Sequence, residues 1–262
     1  MKPVSHFQSG AWSLECDLAD GARIRRLRFQ ETDLLTAAPA AFRPPQADYG
    51  RYETRPVFAY DDCFPTVEPC AHWPDHGELC WLPWSGTPVD CHVTSALAPL
   101  RFFRRLDFQP NRLLWNFAVE NSGSAALPVQ HVMHPLFPLH ELETIELPAG
   151  NGYEPHRVAA ELLAVRPGTF RMDFLRGIAR GEVWIGFRQG LQLTIRFPIR
   201  WFPTLGIWWN NRGYPNEAGL HRSECSFQPV PGPDSRLTSG TTLTAPPQGR
   251  LDWEIEWEVS CR

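Results

Sequence analysis

The chain has 262 residues, with 25 Lys and Arg against 29 Asp and Glu and a formal net charge of -4. That balance argues against a nucleic-acid partner, which draws on clustered cations to neutralise phosphates, and nowhere do about 18 apolar residues run together as a membrane span requires. The first ten residues hold no apolar stretch of signal-peptide length, so a cytoplasmic protein is expected.

A β-rich domain can reach this length undivided. No shift of composition, internal repeat or low-complexity segment marks a boundary, so residues 1–262 are taken as a single domain. Seven cysteines (Cys16, Cys63, Cys70, Cys80, Cys91, Cys225 and Cys261) are an odd number without a C-x-x-C pair. They suit small buried hydrophobes better than a metal site, and no metal or cofactor is expected. Cys63, Cys70 and Cys80 lie near the segment favoured below for a cleft, where a reactive thiol is conceivable.

In chain order, Trp12, Leu14, Cys16 and Leu18 alternate as one face of a strand, Asp20-Gly21 supplies a turn, and apolar positions resume at Ile24. The step from Ile24 to Leu27 and Phe29 breaks period two, which places a bulge between Arg25 and Arg26. Arg23, Arg25, Arg26 and Arg28 read as the solvated side of that strand. The Pro- and Ala-rich stretch from Ala37 to Arg55 shows no period and reads as a long connection. Alternation returns between Leu100 and Val119, most clearly at Leu113, Trp115, Phe117 and Val119, and Glu120-Asn121-Ser122-Gly123 predicts a hairpin-like turn after it. Val158–Val165 predicts a short helix. Val183–Phe197 and Leu251–Val259 alternate again. The pattern is that of an all-β antiparallel sandwich with long loops.

Four segments carry groups able to do chemistry. Asp61-Asp62-Cys63-Phe64-Pro65-Thr66 and Trp73-Pro74-Asp75-His76-Gly77-Glu78, with Glu68 and His72 between them, bring three Asp, two Glu and two His into 18 residues. Such residues form turns, but Pro65, Pro69, Pro74 and Pro83 stiffen this stretch, and rigid polar loops hold ligands at a smaller entropic cost. In Gln130-His131-Val132-Met133-His134-Pro135-Leu136-Phe137, alternation puts Gln130, Val132 and His134 on one face and His131 on the other, so only one imidazole faces a given cleft. Imidazole exchanges protons near neutral pH. In Phe202–Gly213, Trp208 and Trp209 point to opposite faces; one packs inward and the other is a candidate sugar platform, a role assigned to Trp209 with Asn210 as its polar neighbour. The fourth segment, Glu224-Cys225-Ser226-Phe227-Gln228-Pro229, leads into Pro231-Gly232-Pro233-Asp234-Ser235.

In this order the segments resemble the aldose 1-epimerase or galactose-mutarotase superfamily, especially a branch carrying the D-H-G-E loop seen here as Asp75-His76-Gly77-Glu78. Gly21-Ala22-Arg23-Ile24 is similar to that family's N-terminal strand, Asn121-Ser122-Gly123 to its central turn and His134-Pro135-Leu136-Phe137 to its histidine segment. The resemblance implies a β-supersandwich with an open cleft for a small-molecule sugar, and anomer interconversion by acid-base ring opening without a cofactor. His76 and His134 match the family's two active-site histidines, with His134 as the acid that protonates the ring oxygen. The family's base lies in a Glu-Pro pair, and the matching pair here is Gln228-Pro229. An amide orients a hydroxyl but accepts no proton, so a sugar-binding protein without catalysis is the alternative. Glu224, Asp62 and Glu78 are candidate replacement bases, and Asp62 and Glu78 are equally candidates to bind sugar hydroxyls. Arg51, Arg55, Arg200 and Arg212 lie near cleft-associated segments and would suit a phosphorylated sugar.

Overall fold

The computed structural model describes residues 4–38, 52, 55, 57–70, 73–215, 221–238 and 240–261. Its elements start where alternation is cleanest. In Trp12–Asp17 the side chains of Trp12, Leu14 and Cys16 are buried and those between them half-buried, and this strand pairs antiparallel with Ser5–Ser9 and Arg23–Phe29. Between Trp12–Asp17 and Arg23–Phe29 the chain turns through Gly21 and Ala22, both with positive φ (63° and 49°). A side chain at residue 21 has no room: a Cβ there would lie 2.5 Å from the Cys80 backbone. The predicted bulge is present, since Glu15 faces Arg26 while Cys16 faces Ile24, leaving Arg25 as the extra residue.

Among the described residues, three larger antiparallel sheets and one two-stranded pair organise the molecule. The first runs Ser5–Ser9, Trp12–Asp17, Arg23–Phe29, Tyr60–Cys63, Val132–Pro135, with Thr32–Asp33 also on Arg23–Phe29. The largest runs Leu142–Glu146, Glu182–Phe187, Leu191–Arg196, Gly249–Cys261, Arg112–Asn121, Leu100–Phe108, Asp90–Thr94, Ser85–Gly86. The third runs Phe137–Pro138, His221–Val230, Thr204–Pro215, Thr169–Arg176. The core lies between sheets. Trp115 packs at a tilt against Tyr60 at 4.8 Å and Trp257 at 5.0 Å between ring centroids, and Phe137 meets Trp257 at 5.8 Å. Aromatic side chains bury about 150–250 Å² each, at about 25 cal/mol per Å² of apolar surface, which makes this layer a principal source of stability.

Several sequence expectations are refined. The alternating stretch Val183–Phe197 is a hairpin of two strands, Glu182–Phe187 and Leu191–Arg196, turning at Gly190 with φ 81°. After Asn121 the chain does not return as a hairpin. The Asn121 Oδ1 accepts the Gly123 N–H at 2.8 Å, ending the strand, and Leu127–Pro128 then pairs with Thr244–Ala245. The helix is Pro155–Leu163, opened by Pro155 in its first turn. Arg23 is not solvated: it is fully buried, whereas Arg26 and Arg28 do face outward against Asp33. No described helix is long and apolar enough to cross a membrane. Of the long connection, residues 39–51, 53 and 54 lie outside the described residues.

Candidate functional site

Tyr60–Cys63 and Val132–Pro135 pair antiparallel with Asp61 opposite His134 and Asp62 opposite Met133. Alternation then sorts the two histidines. His131 turns into the core, 4.4 Å from Phe117 and 5.3 Å from Trp253 between ring centroids. His134, 9% exposed, lines a cavity of about 370 Å³.

Beneath that cavity lie buried charges. Arg23 and Arg55 each bridge Asp20 and Asp61: Arg23 at 2.8 and 3.1 Å, Arg55 at 2.9 Å to Asp61 and in a short contact with Asp20. Four charges close a neutral ring, the condition under which charge tolerates burial. Burial alone would raise the Asp61 carboxyl, but Arg23 and Arg55 hold it below its ordinary value. The neighbouring Asp62 is claimed by Arg104 (2.6 Å), His131 Nε2 (3.0 Å) and the Tyr60 hydroxyl (2.5 Å). Trp253 Nε1 donates to His131 Nδ1 at 3.2 Å, so the His131 proton sits on Nε2 and is given to Asp62.

The Asp75–Glu78 loop presents the second imidazole. His76 itself has φ 59° and Gly77 φ 70°. Gly77 passes so close to Phe64 that a Cβ would lie 2.0 Å from the Phe64 carbonyl oxygen, and that oxygen accepts the Glu78 N–H at 3.0 Å. The Glu78 carboxylate accepts the Ala96 N–H at 2.9 Å and a short hydrogen bond from the Ser95 hydroxyl, pinning the loop to the next turn. Asp75 Oδ1 lies 2.9 Å from His76 Nδ1; a carboxylate only accepts, so the imidazole donates there and its Nε2 is left for other partners.

Tyr52 joins the two histidines. Its ring stacks on His76 at 3.6 Å with 5° between planes, and its hydroxyl lies 3.2 Å from His134 Nδ1. Burial raises the Tyr52 hydroxyl well above its ordinary pKa, so it stays protonated. Burial, and then the neighbouring His76, push His134 down to about 3, leaving it a neutral imidazole near pH 7.

The opposite wall comes from His221–Val230. Arg222, Glu224 and Gln228 recur at even spacing on the face that lines the cavity, and Arg222 Nη2 sits 3.2 Å from Glu224 Oε1. Across the ladder Trp208 faces Ser226, so it shares this face, while Trp209 faces Cys225 on the other.

Of the residues singled out by sequence, His76, His134, Gln228 and the candidate base Glu224 line one cavity. Asp62, Glu78, Trp209 and Asn210 do not. Asp62 is fully buried by its three partners, and Glu78 is a buried anchor of the loop. Trp209 packs in the core, 3% exposed, so the ring on the cavity is Trp208. Asn210 is buried, its Oδ1 accepting the N–H groups of Gly213 and Tyr214 at 3.0 and 2.9 Å to shape the turn that carries Tyr214 to the cavity. Arg55 is committed to its ring of charges, Arg200 is exposed against Trp201 at 5.3 Å, Arg212 is exposed away from the cavity lining, and Arg51 and His72 lie outside the described residues. Burial raises the thiols of Cys63 and Cys80, the latter to about 12, so neither is a ready nucleophile. Sequence reasoning missed Arg222, Tyr214 and Tyr52 as site residues. The even spacing of Arg222 with Glu224 and Gln228 could have found the first.

No protein-family model matches the chain, and a search of curated proteins finds no match. Solved structures do match. The Slr1438 protein from Synechocystis sp. PCC 6803 aligns over 100% of this chain and 97% of its own with a TM-score of 0.74 at 15% identity. A galactose mutarotase-like protein from Clostridium acetobutylicum aligns over 98% and 95% with a TM-score of 0.66 at 11% identity. A galactose 1-epimerase from Lactobacillus acidophilus NCFM aligns over 97% and 93% with a TM-score of 0.63 at 10% identity. The chain therefore has the galactose-mutarotase-like fold. At these identities the likeness is one of fold, and function is argued from the site.

Proposed function

We propose that the cavity binds a free aldose and interconverts its anomers by opening and reclosing the ring. The observation that carries this reading is the convergence of two imidazoles and a carboxylate, His76, His134 and Glu224, on one cavity. Glu224 takes the proton of the anomeric hydroxyl, the bond from the anomeric carbon to the ring oxygen breaks, and a carbonyl forms as the ring oxygen receives a proton. A neutral His134 is a weak donor of that proton. Its role is to hydrogen-bond the sugar, and the proton donor of the pair is His76 in its imidazolium form, with Nδ1–H held by Asp75 and the transferred proton on Nε2. After the carbonyl turns its other face, the ring oxygen attacks it, returning its proton to His76 while Glu224 returns its own to the new anomeric hydroxyl. Every proton is restored, and no cofactor enters the cycle. Trp208 offers an aromatic face to the C–H side of the sugar.

A sugar-binding protein without catalysis is the second reading, favoured by Gln228, an amide where the resemblance has its base. Saturation-transfer NMR on a panel of aldoses separates the two. Exchange between anomers faster than in protein-free controls supports the enzyme. Binding without faster exchange for any sugar would leave only the second reading.

A further inference from the structure

Beyond the cavity, three large apolar side chains stand open to solvent at its mouth: Phe170 is 51% exposed, Tyr214 41% and Met172 37%. Phe170 lies 5.5 Å from Trp208 and 5.4 Å from Tyr214 between ring centroids, and Trp208 meets Tyr214 edge-on at 5.3 Å and 83°. Trp208, Tyr214 and Met172 also line the cavity, so the exposed group continues its wall outward.

Strand register explains the continuity. Glu224 and Ser226 face Asn210 and Trp208 on the next strand, and these in turn face Phe170 and Met172 on the outer strand of the sheet. Residues directly opposite share a face, so one side of the sheet carries an unbroken path from Glu224 over Trp208 to Phe170. With neighbouring strands about 4.8 Å apart, that path crosses roughly 10 Å, farther than one sugar ring reaches. Trp208 is half-buried, but Phe170 and Tyr214 beside it stay exposed, and an apolar surface left open in this way calls for a ligand.

We propose that Phe170, Trp208 and Tyr214 form a second sugar subsite, so that the ligand of this cleft is a saccharide of at least two rings whose reducing end occupies the cavity. This rests on the sugar reading of the cavity. A pyranose presents an apolar C–H face and a rim of hydroxyls, which matches aromatic rings standing at the edge of water. Ring opening requires the anomeric hydroxyl to be free, so the second ring is attached through another hydroxyl of the first.

The test is titration, followed by protein NMR shifts, of maltose, cellobiose, lactose, isomaltose and melibiose against glucose and galactose. The best disaccharide is expected to bind about tenfold more tightly than its own reducing-end monosaccharide, and Phe170→Ala to bring that ratio near one. Phe170 is half exposed, so its truncation keeps the fold, which a melting curve checks. Equal affinity for every disaccharide and its monosaccharide would overturn the second subsite and leave the cavity reading intact. Binding of neither length overturns both. Sedimentation covers a different occupant: a dimer that Phe170→Asp dissociates would assign the patch to a second copy of the chain and overturn the proposal.

Discussion

The Tyr52 hydroxyl lies 3.2 Å from Nδ1 of His134. A hydroxyl that donates here leaves the His134 proton on Nε2, the other nitrogen of a ring that faces the cavity. Tyr52→Phe keeps the stack on His76 and removes only this hydrogen bond. Its expected effect is a loss of about tenfold in anomer exchange, or in sugar affinity if exchange is absent, with melting changed by about 1 kcal/mol. Nitrogen chemical shifts of His134 in the two proteins report the tautomer directly. An unchanged tautomer with unchanged binding would remove Tyr52 from the site.

Glu224 and Gln228 share a face of one strand and one cavity, and they divide the two functional readings. If Glu224 is the base, Glu224→Gln lowers exchange by about 100-fold or more, the scale of a lost general base. Arg222 then lacks its carboxylate partner, so affinity is measured alongside to separate a binding defect from a chemical one. Gln228→Glu puts a second carboxylate on the same wall and is expected to raise exchange. If Glu224→Gln exchanges as fast as the parent while Gln228→Glu alone creates a new rate, the role assigned to Glu224 is wrong.

The fold was legible because its signals are local. Leu113, Trp115, Phe117 and Val119 alternate against Trp253, Ile255 and Trp257, and one strand's period predicts its buried face whatever it pairs with. The two histidines were legible for a related reason: period two permits His131 or His134, but not both, in one cleft. The assignment of Trp209 together with Asn210 broke that same rule, since adjacent strand residues face opposite ways, and the structure gives the cavity Trp208. Asp62 and Glu78 were misjudged for want of partners. Their commitment to Arg104 and Ala96 comes from strands and turns far along the chain, which no local pattern reveals. Tyr52 comes from an aperiodic connection and carried no signal at all.

Acid should destabilise the protein in two stages. Burial lowers His131, despite its bond to Asp62, and lowers His134 to about 3, so the folded chain keeps both neutral where the unfolded chain protonates them. The unfolded state then binds more protons below about pH 6.5, and stability falls with falling pH, by up to about 1.4 kcal/mol per unit for His134. Asp61 and Asp62 have folded values lowered from 3.8, so their contribution persists above that value and is lost as pH falls through the folded ones. Melting between pH 8 and pH 4 checks the first stage. His134→Phe is expected to make the decline below pH 6.5 shallower, and an identical slope would mean that His134 titrates in the folded state as it does in the unfolded one.

The Asp75–Glu78 loop offers a test of positioning without sugar contact. Gly77→Ala forces a Cβ to within 2.0 Å of the Phe64 carbonyl oxygen at φ 70°, so backbone must move, at an expected cost of about 2–4 kcal/mol in denaturant melts. Glu78→Ala leaves the Ala96 N–H and the Ser95 hydroxyl without their acceptor, worth about 1–3 kcal/mol. Since Glu78 does not line the cavity, its loss reaches the sugar only through His76, whose backbone it fixes from two residues away. Glu78→Ala is therefore expected to weaken sugar binding while the ring contact between His76 and Tyr52 loosens, seen as faster averaging of their NMR signals. Weakened binding with that contact intact would mean that Glu78 acts on the ligand by some route other than His76.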